Sequence, residues 1–296
     1  MSEQSLEYPT VAVLGFGTMG GGIAQVFAAS GRSVTVLDTD SQRIEDGLSA
    51  LSRILSNGVS RGKLTDEDKA AVLSRITTTT TVADLAGVDL VVESVTENAA
   101  IKKAILGEVA AVIGPQIPLC TNTSAMSVTD LAASVSNPAR VAGLHFFNPA
   151  PLMRTVEVVR ALQTDYDLIN RLVALVDTLS GDKVAVVVKD RPGFLINALL
   201  MPYLNDVIQE FDHELASAED IDIALKLGLG YKTGPLELLD MIGLDVHLHA
   251  TDAAYEATLD ERYAAPPLLR QMVAAGRLGN KSQRGFRAGH SDLEDN

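Results

Sequence analysis

The strongest constraint on this chain is the sequence around Val11. A short apolar run, Val11-Ala12-Val13-Leu14, meets Gly15-Phe16-Gly17-Thr18-Met19-Gly20, and Ile23 to Ala29 then reads as a helix closed by Gly31. A strand that stops at spaced glycines and re-emerges as a helix predicts a βα turn wrapped around an anion. The first glycine permits the tight turn, the second lets backbone approach a pyrophosphate, and the third lets helix and strand pack closely. The helix N-terminus adds unpaired N–H groups and the positive end of its dipole. Val34 to Leu37 is a second strand ending at Asp38, which follows Gly17 by 21 positions. That is where a carboxylate reaches the ribose hydroxyls of a dinucleotide. Asp38 would repel the 2′-phosphate of NADP, so NAD is the expected cofactor, and Gly15, Gly17, Thr18, Met19, Gly20 and Asp38 are its expected contacts.

The same alternation continues. Val88 to Val95, Pro118 to Thr121, Val141 to Phe147, Val156 to Val159 and Val184 to Val188 read as strands, and Thr77 to Thr81 as a strand or its approach. Two helical patterns, Gln42 to Ser56 and Thr65 to Leu73, flank a turn-like Asn57 to Lys63 and predict a helical hairpin inserted between strands. Beyond Asp190-Arg191-Pro192-Gly193 the strand patterns stop, and a capping-box spacing at Ser217-Ala218-Glu219-Asp220 opens a helical region. The expected architecture is α/β. It is a Rossmann-type doubly wound, mainly parallel sheet over residues 1–191, with an all-α C-terminal domain over 192–296. The acidic tail from Ala288 to Asn296 reads as disordered.

Composition narrows the function. Of 296 residues, 38 are Asp or Glu and 24 are Lys or Arg, a formal net charge of −14, which opposes general binding to nucleic acid or anionic membranes. Cys120 is the lone cysteine, so no intrachain disulfide or cysteine-built zinc site forms. His213, His247, His249 and His290 make no metal-ligand constellation. No signal peptide or membrane span is read, and the cytoplasm is the expected compartment.

His145 sits among apolar residues at the end of a predicted strand, and Glu157 lies inside the apolar run Val156 to Val159. A histidine there is either a satisfied core residue or a catalytic one. A carboxylate there needs a partner, and the two would meet each other's requirement. The carboxylate would then orient the ring and make it a better general base.

These segments, taken in order, resemble the L-3-hydroxyacyl-CoA dehydrogenase family, especially its short 3-hydroxybutyryl-CoA dehydrogenases. The matching motifs run from Gly15 to Ala24, then Val92-Glu93 with Glu97-Asn98, Asn122-Thr123-Ser124 and Gly143 to Pro149. Val156-Glu157-Val158, Pro192-Gly193-Phe194 with Asn197, and Gly234 to Asp240 complete them. The resemblance implies that His145 takes the proton of the substrate 3-hydroxyl while Glu157 holds it, and that Ser124 and Asn197 bind the substrate. It places Glu97, Lys102, Asn148 and Lys281 near the cofactor. Ser60, Arg61 and Lys63 either meet coenzyme A phosphates or form a solvated turn. It also implies an acyl-CoA partner and a homodimer through the C-terminal domain. An acyl-carrier-protein substrate, as in polyketide extender-unit synthesis, is the alternative, and a non-catalytic NAD-binding homologue is a further one. The chain departs from the family at Ala198, where many relatives carry arginine, and at Arg287 after Gly285-Phe286.

Overall fold

The computed structural model describes residues 6–287. The chain divides into two compact units, Met1–Arg191 and Pro192–Asn296. The tail expected to be disordered lies outside the described residues.

The first unit is built on one eight-stranded sheet. In chain order its elements are β1 (Thr10–Leu14), α1 (Thr18–Ala29), β2 (Ser33–Leu37), α2 (Ser41–Ser60), α3 (Asp66–Ser74), β3 (Ile76–Thr79) and β4 (Leu90–Glu93). Then follow α4 (Ala99–Val112), β5 (Leu119–Thr121), α5 (Val128–Ala132), β6 (Val141–Phe146), β7 (Thr155–Arg160), α6 (Tyr166–Asp177) and β8 (Val184–Lys189). The spatial order is β3-β2-β1-β4-β5-β6-β7-β8, with every pairing parallel except β6 against β7. The order reverses between β1 and β4, and a doubly wound sheet opens its ligand crevice at the carboxyl ends of the strands beside such a reversal. The central strands carry no polar alternation because both faces are covered. Val11, Ala12, Val13 and Leu14, and all of β6, are buried.

The helical hairpin between β2 and β3 is present, but its turn begins at Arg61 rather than at Asn57. Helix α2 runs through Asn57 and Gly58 to Ser60. Glycine survives inside that helix because Leu64 folds back onto it: a Cβ at Gly58 would lie 2.9 Å from Leu64 Cδ1. The turn signal of Asn-Gly is thus outweighed by packing. The second helix opens with a capping box between Thr65 and Asp68.

The second unit contains α7 (Ile196–Asp212), α8 (Ala218–Leu229), α9 (Pro235–Ile242), α10 (Leu244–Thr258) and α11 (Pro267–Ala274). They share an apolar core that includes Leu204, Ile208, Leu236, Leu239, Leu244, Leu269 and Phe286. Two buried carboxylates tie it together. Asp222 accepts the Leu236 and Glu237 amides that begin α9, and Asp240 accepts the Phe286 and Arg287 amides. Arg287, the departure from the family pattern, sets its guanidinium 3.6 Å from Asp222 and 3.7 Å from Glu219. Among the described residues no helix is long and apolar enough to cross a membrane.

Candidate active site

The glycine loop is formed as its spacing requires. Gly15 has φ of +92°, a left-handed conformation that a side chain would resist. A Cβ at Gly20 would collide with the Gly15 carbonyl oxygen, so the third glycine is a packing necessity. Gly17 differs, because a Cβ there would meet nothing within 4 Å. Gly17 is the N-cap of α1, and no side chain caps it. The protein therefore leaves space, free amides and a dipole end at one point, as a bound pyrophosphate needs.

Asp38 closes the other side of this loop. Its Oδ2 accepts the Phe16 amide at 2.7 Å and its Oδ1 accepts the Thr39 amide at 2.6 Å. Oδ1 also accepts the Thr39 hydroxyl at 3.3 Å, and Oδ2 retains a further lone-pair direction for a ribose hydroxyl. The residues present thus fit NAD. Thr18 is exposed and Met19 half-buried on the first turn of α1.

His145 and Glu157 are directly opposite each other across the antiparallel β6–β7 pair. Cross-strand partners place their side chains on one face, and here Nδ1 of His145 lies 2.8 Å from Oε2 of Glu157. The histidine is 5% exposed and the glutamate fully buried. The Phe147 ring lies against the imidazole with centroids 4.5 Å apart. The pairing explains how an apolar strand tolerates Glu157, since a buried carboxylate needs a hydrogen-bonding partner.

The remaining expected residues are distributed unevenly. Ser124 is exposed on the loop after β5, and its amide donates to Glu97 Oε1 at 3.2 Å. Lys102 is not a solvated lysine like Lys103. It is 1% exposed and lies 2.7 Å from Glu93 and 3.2 Å from Glu97. Asn148 is exposed and precedes a cis peptide bond to Pro149. Ser60 and Lys63 are exposed at the hairpin tip, and the Ser60 hydroxyl donates to the Asn57 carbonyl. Asn197 and Lys281 belong to the second unit. Asn197 is half-buried in the first turn of α7, and Lys281 pairs with Asp245 at 2.6 Å. That ammonium holds the Asp245 carboxyl below the usual carboxylate range. Among the described residues no group of three or more His, Cys, Asp or Glu side chains is placed to hold a metal ion.

The sequence reading gave no role to Thr121, nor to Glu93 and Thr123, which it carried only as parts of motifs. Both oxygens of the fully buried Glu93 carboxylate are bonded, by Lys102 and the Val95 amide at Oε1 and by Thr121 at Oε2. Thr123 donates its hydroxyl to Glu97. The signal was present, since Glu93 ends an apolar run just as Glu157 interrupts one.

Residues 10–191 match the model of the 3-hydroxyacyl-CoA dehydrogenase NAD-binding domain, and residues 193–289 match that of the 3-hydroxyacyl-CoA dehydrogenase C-terminal domain. A 3-hydroxybutyryl-CoA dehydrogenase of Mycobacterium tuberculosis is 41% identical over 93% of this chain and 96% of its own length. A 3-hydroxyadipyl-CoA dehydrogenase of Escherichia coli is 43% identical, and the match covers 93% of this chain but only 58% of that protein. The crystal structure of (S)-3-hydroxybutyryl-CoA dehydrogenase from Ralstonia eutropha superposes with a TM-score of 0.90 at 39% identity, over 94% of this chain and 98% of that one. The chain belongs to the 3-hydroxyacyl-CoA dehydrogenase family of NAD-dependent oxidoreductases.

Proposed function

We propose that this chain interconverts a short 3-hydroxyacyl-CoA and its 3-ketoacyl-CoA, with His145 as the acid–base group and Glu157 as its partner. The observation that carries this reading is the buried His145–Glu157 pair at the carboxyl end of β6, in the same sheet that forms the glycine loop after β1. Bound NAD supplies the hydride acceptor for the 3-hydroxyl carbon.

The chain's own residues do the rest. Glu157 accepts the Nδ1 proton of His145, which fixes the tautomer and makes Nε2 the position that takes the substrate hydroxyl proton. The charge that then develops on the ring forms beside a buried carboxylate, which favours it. In the reduction direction Nε2 returns the proton to the keto oxygen. Asp38 and the amides after Gly17 orient the cofactor. Glu97, Lys102 and Asn148 are proposed to surround the cofactor and Ser124 to meet the substrate, as the family resemblance implies.

NADH consumption with acetoacetyl-CoA, beside a His145→Ala control, tests the reading. Rapid consumption that the variant loses while keeping NADH affinity is expected. Equal loss of turnover and NADH binding would make His145 a folding residue instead. No consumption by a wild-type chain that binds NADH would move the substrate to an acyl-carrier-protein thioester, and a side-by-side assay of the two carriers would decide.

A homodimer through the second unit is part of the proposal. Leu199, Leu227, Leu229, Met241 and Leu259 are large apolar side chains left exposed there, apolar surface that a second copy would cover. A monomer by light scattering at micromolar concentration would refute it. A cytoplasmic setting fits the buried, unpaired Cys120.

A further inference from the structure

Glu93 is fully buried, carries a carboxylate and takes no part in the proton transfer proposed for His145. Its Oε1 accepts the Lys102 ammonium and the Val95 amide, each at 2.7 Å, and its Oε2 accepts the Thr121 hydroxyl at 2.7 Å. The same ammonium donates to the Val95 carbonyl at 3.3 Å and lies 3.2 Å from Glu97 Oε2. Glu97, with a side chain 41% exposed, uses its other oxygen for the Thr123 hydroxyl and the Ser124 amide. The Met126 amide then donates to the Thr123 hydroxyl at 3.0 Å. A continuous polar chain therefore runs from the sheet interior at Glu93, through Lys102 and Glu97, to the exposed Ser124 segment. It joins the loop after β4 to the loop after β5.

The charges explain why Glu93 is needed. A fully buried ammonium is stable only when paired and hydrogen-bonded. With Glu93 as the buried partner, Lys102 is neutralised from the interior, and Glu97 stays at the crevice with an oxygen to spare for the Ser124 loop. Without the Glu93 charge, Glu97 would be the carboxylate left to Lys102 and would be drawn inward, off Thr123 and Ser124. The loop after β4 also abuts the cofactor loop, since a Cβ at Gly15 would lie 2.8 Å from the Ser94 carbonyl oxygen.

We propose that Glu93 is a positioning residue, which clamps Lys102 and thereby holds Glu97 and the Ser124 loop in their working arrangement. The inference rests on the reading in which Ser124 meets substrate and His145 exchanges its proton. Glu93→Gln removes the charge and keeps the shape.

Two measurements on the full-length chain test it. Amide hydrogen exchange of Glu93→Gln is expected to quicken at least tenfold over residues 122–127, with β1, β2 and the second unit unchanged. In the acetoacetyl-CoA assay kcat is expected to fall at least tenfold, with KM for NADH within threefold. The factor lost on Ser124→Ala should be smaller in the Glu93→Gln background than in wild type, because the two changes damage one arrangement. Unchanged exchange over 122–127, exchange quickened uniformly, or strictly multiplicative losses would each overturn the proposal. Should Glu93→Gln fail to fold, Thr121→Val removes the hydroxyl on Oε2 and, with it, the acceptor of the Thr123 amide, so exchange is read at residues 124–127 alone. It should quicken there at least twofold, and no change at 124–127 would overturn the clamp. A wild-type chain without His145-dependent turnover would refute the catalytic reading instead, and the exchange measurement would still decide on Glu93.

Discussion

Replacing Glu157 by Gln tests the core of the mechanism with the smallest change of shape. The carboxylate lies 2.8 Å from His145 Nδ1, and both side chains are buried. With the charge centres of the imidazolium and carboxylate about 4 Å apart and an effective dielectric constant of about 20, their attraction is about 4 kcal/mol. That attraction exists only once the ring has taken the substrate proton, so it lowers the barrier without stabilising the resting enzyme equally. Its loss corresponds to a fall in kcat of about 10³ at the limit, since about 1.4 kcal/mol is a factor of ten. A carboxamide can also turn its NH₂ toward Nδ1 and leave the proton on Nε2, the wrong tautomer for a base, which acts in the same direction. The assay is steady-state NADH oxidation with acetoacetyl-CoA, with fluorescence titration of NADH as the control. Affinity for NADH should stay within about threefold, because Asp38 and the Gly17 amides are untouched. A folded Glu157→Gln enzyme whose kcat stays within tenfold of wild type would refute the assigned role of the pair.

Other expectations follow from single sites. Gly17→Val should fold normally and lose NADH affinity by at least tenfold in titration, because its side chain occupies space that the protein leaves open, whereas Gly20→Ala should lower the melting temperature by colliding with the Gly15 carbonyl. Asp38→Ala should narrow the preference for NADH over NADPH, read as the ratio of the two dissociation constants, because the carboxylate that repels a 2′-phosphate is removed. His247 is buried against Asn205, and burial pushes its imidazole down from 6.5 to about 4. The unfolded chain therefore binds the extra proton first as pH falls. His247 thus contributes no pH dependence above about pH 6.5 and a loss of stability of up to about 1.4 kcal/mol per pH unit from there toward pH 4. Urea melts of wild type and His247→Gln across that range check this, and equal slopes for the two would refute it.

The elements of the first unit were legible because each of its central strands is buried on both faces. Val11 to Leu14 and Val141 to Phe146 read as largely apolar runs, and Gly15 and Gly20 meet requirements of backbone and packing that no other residue meets. His145 and Glu157 were legible for a related reason: a polar side chain in an apolar run demands a partner, and two such residues suggested each other. The end of α2 was misplaced because Asn57-Gly58 has the local preference of a turn, while the contact that keeps it helical comes from Leu64. The register that sets His145 directly opposite Glu157 was likewise beyond the sequence, because strand pairing is a long-range relation.

Glu93 and Lys102 show the limit most clearly. Taken alone, Lys102 looks like its solvated neighbour Lys103, since both lie on one helix and have the same intrinsic chemistry. Only the folded chain places one against Asp130 at the surface and the other between two carboxylates inside. By itself the sequence determined what local geometry and burial demand: the cofactor turn, the alternation of strands and helices, and the residue types able to do the chemistry. The tertiary structure decided which charges are desolvated and which partners they meet, because desolvation and Coulomb energy depend on distances that no local pattern encodes.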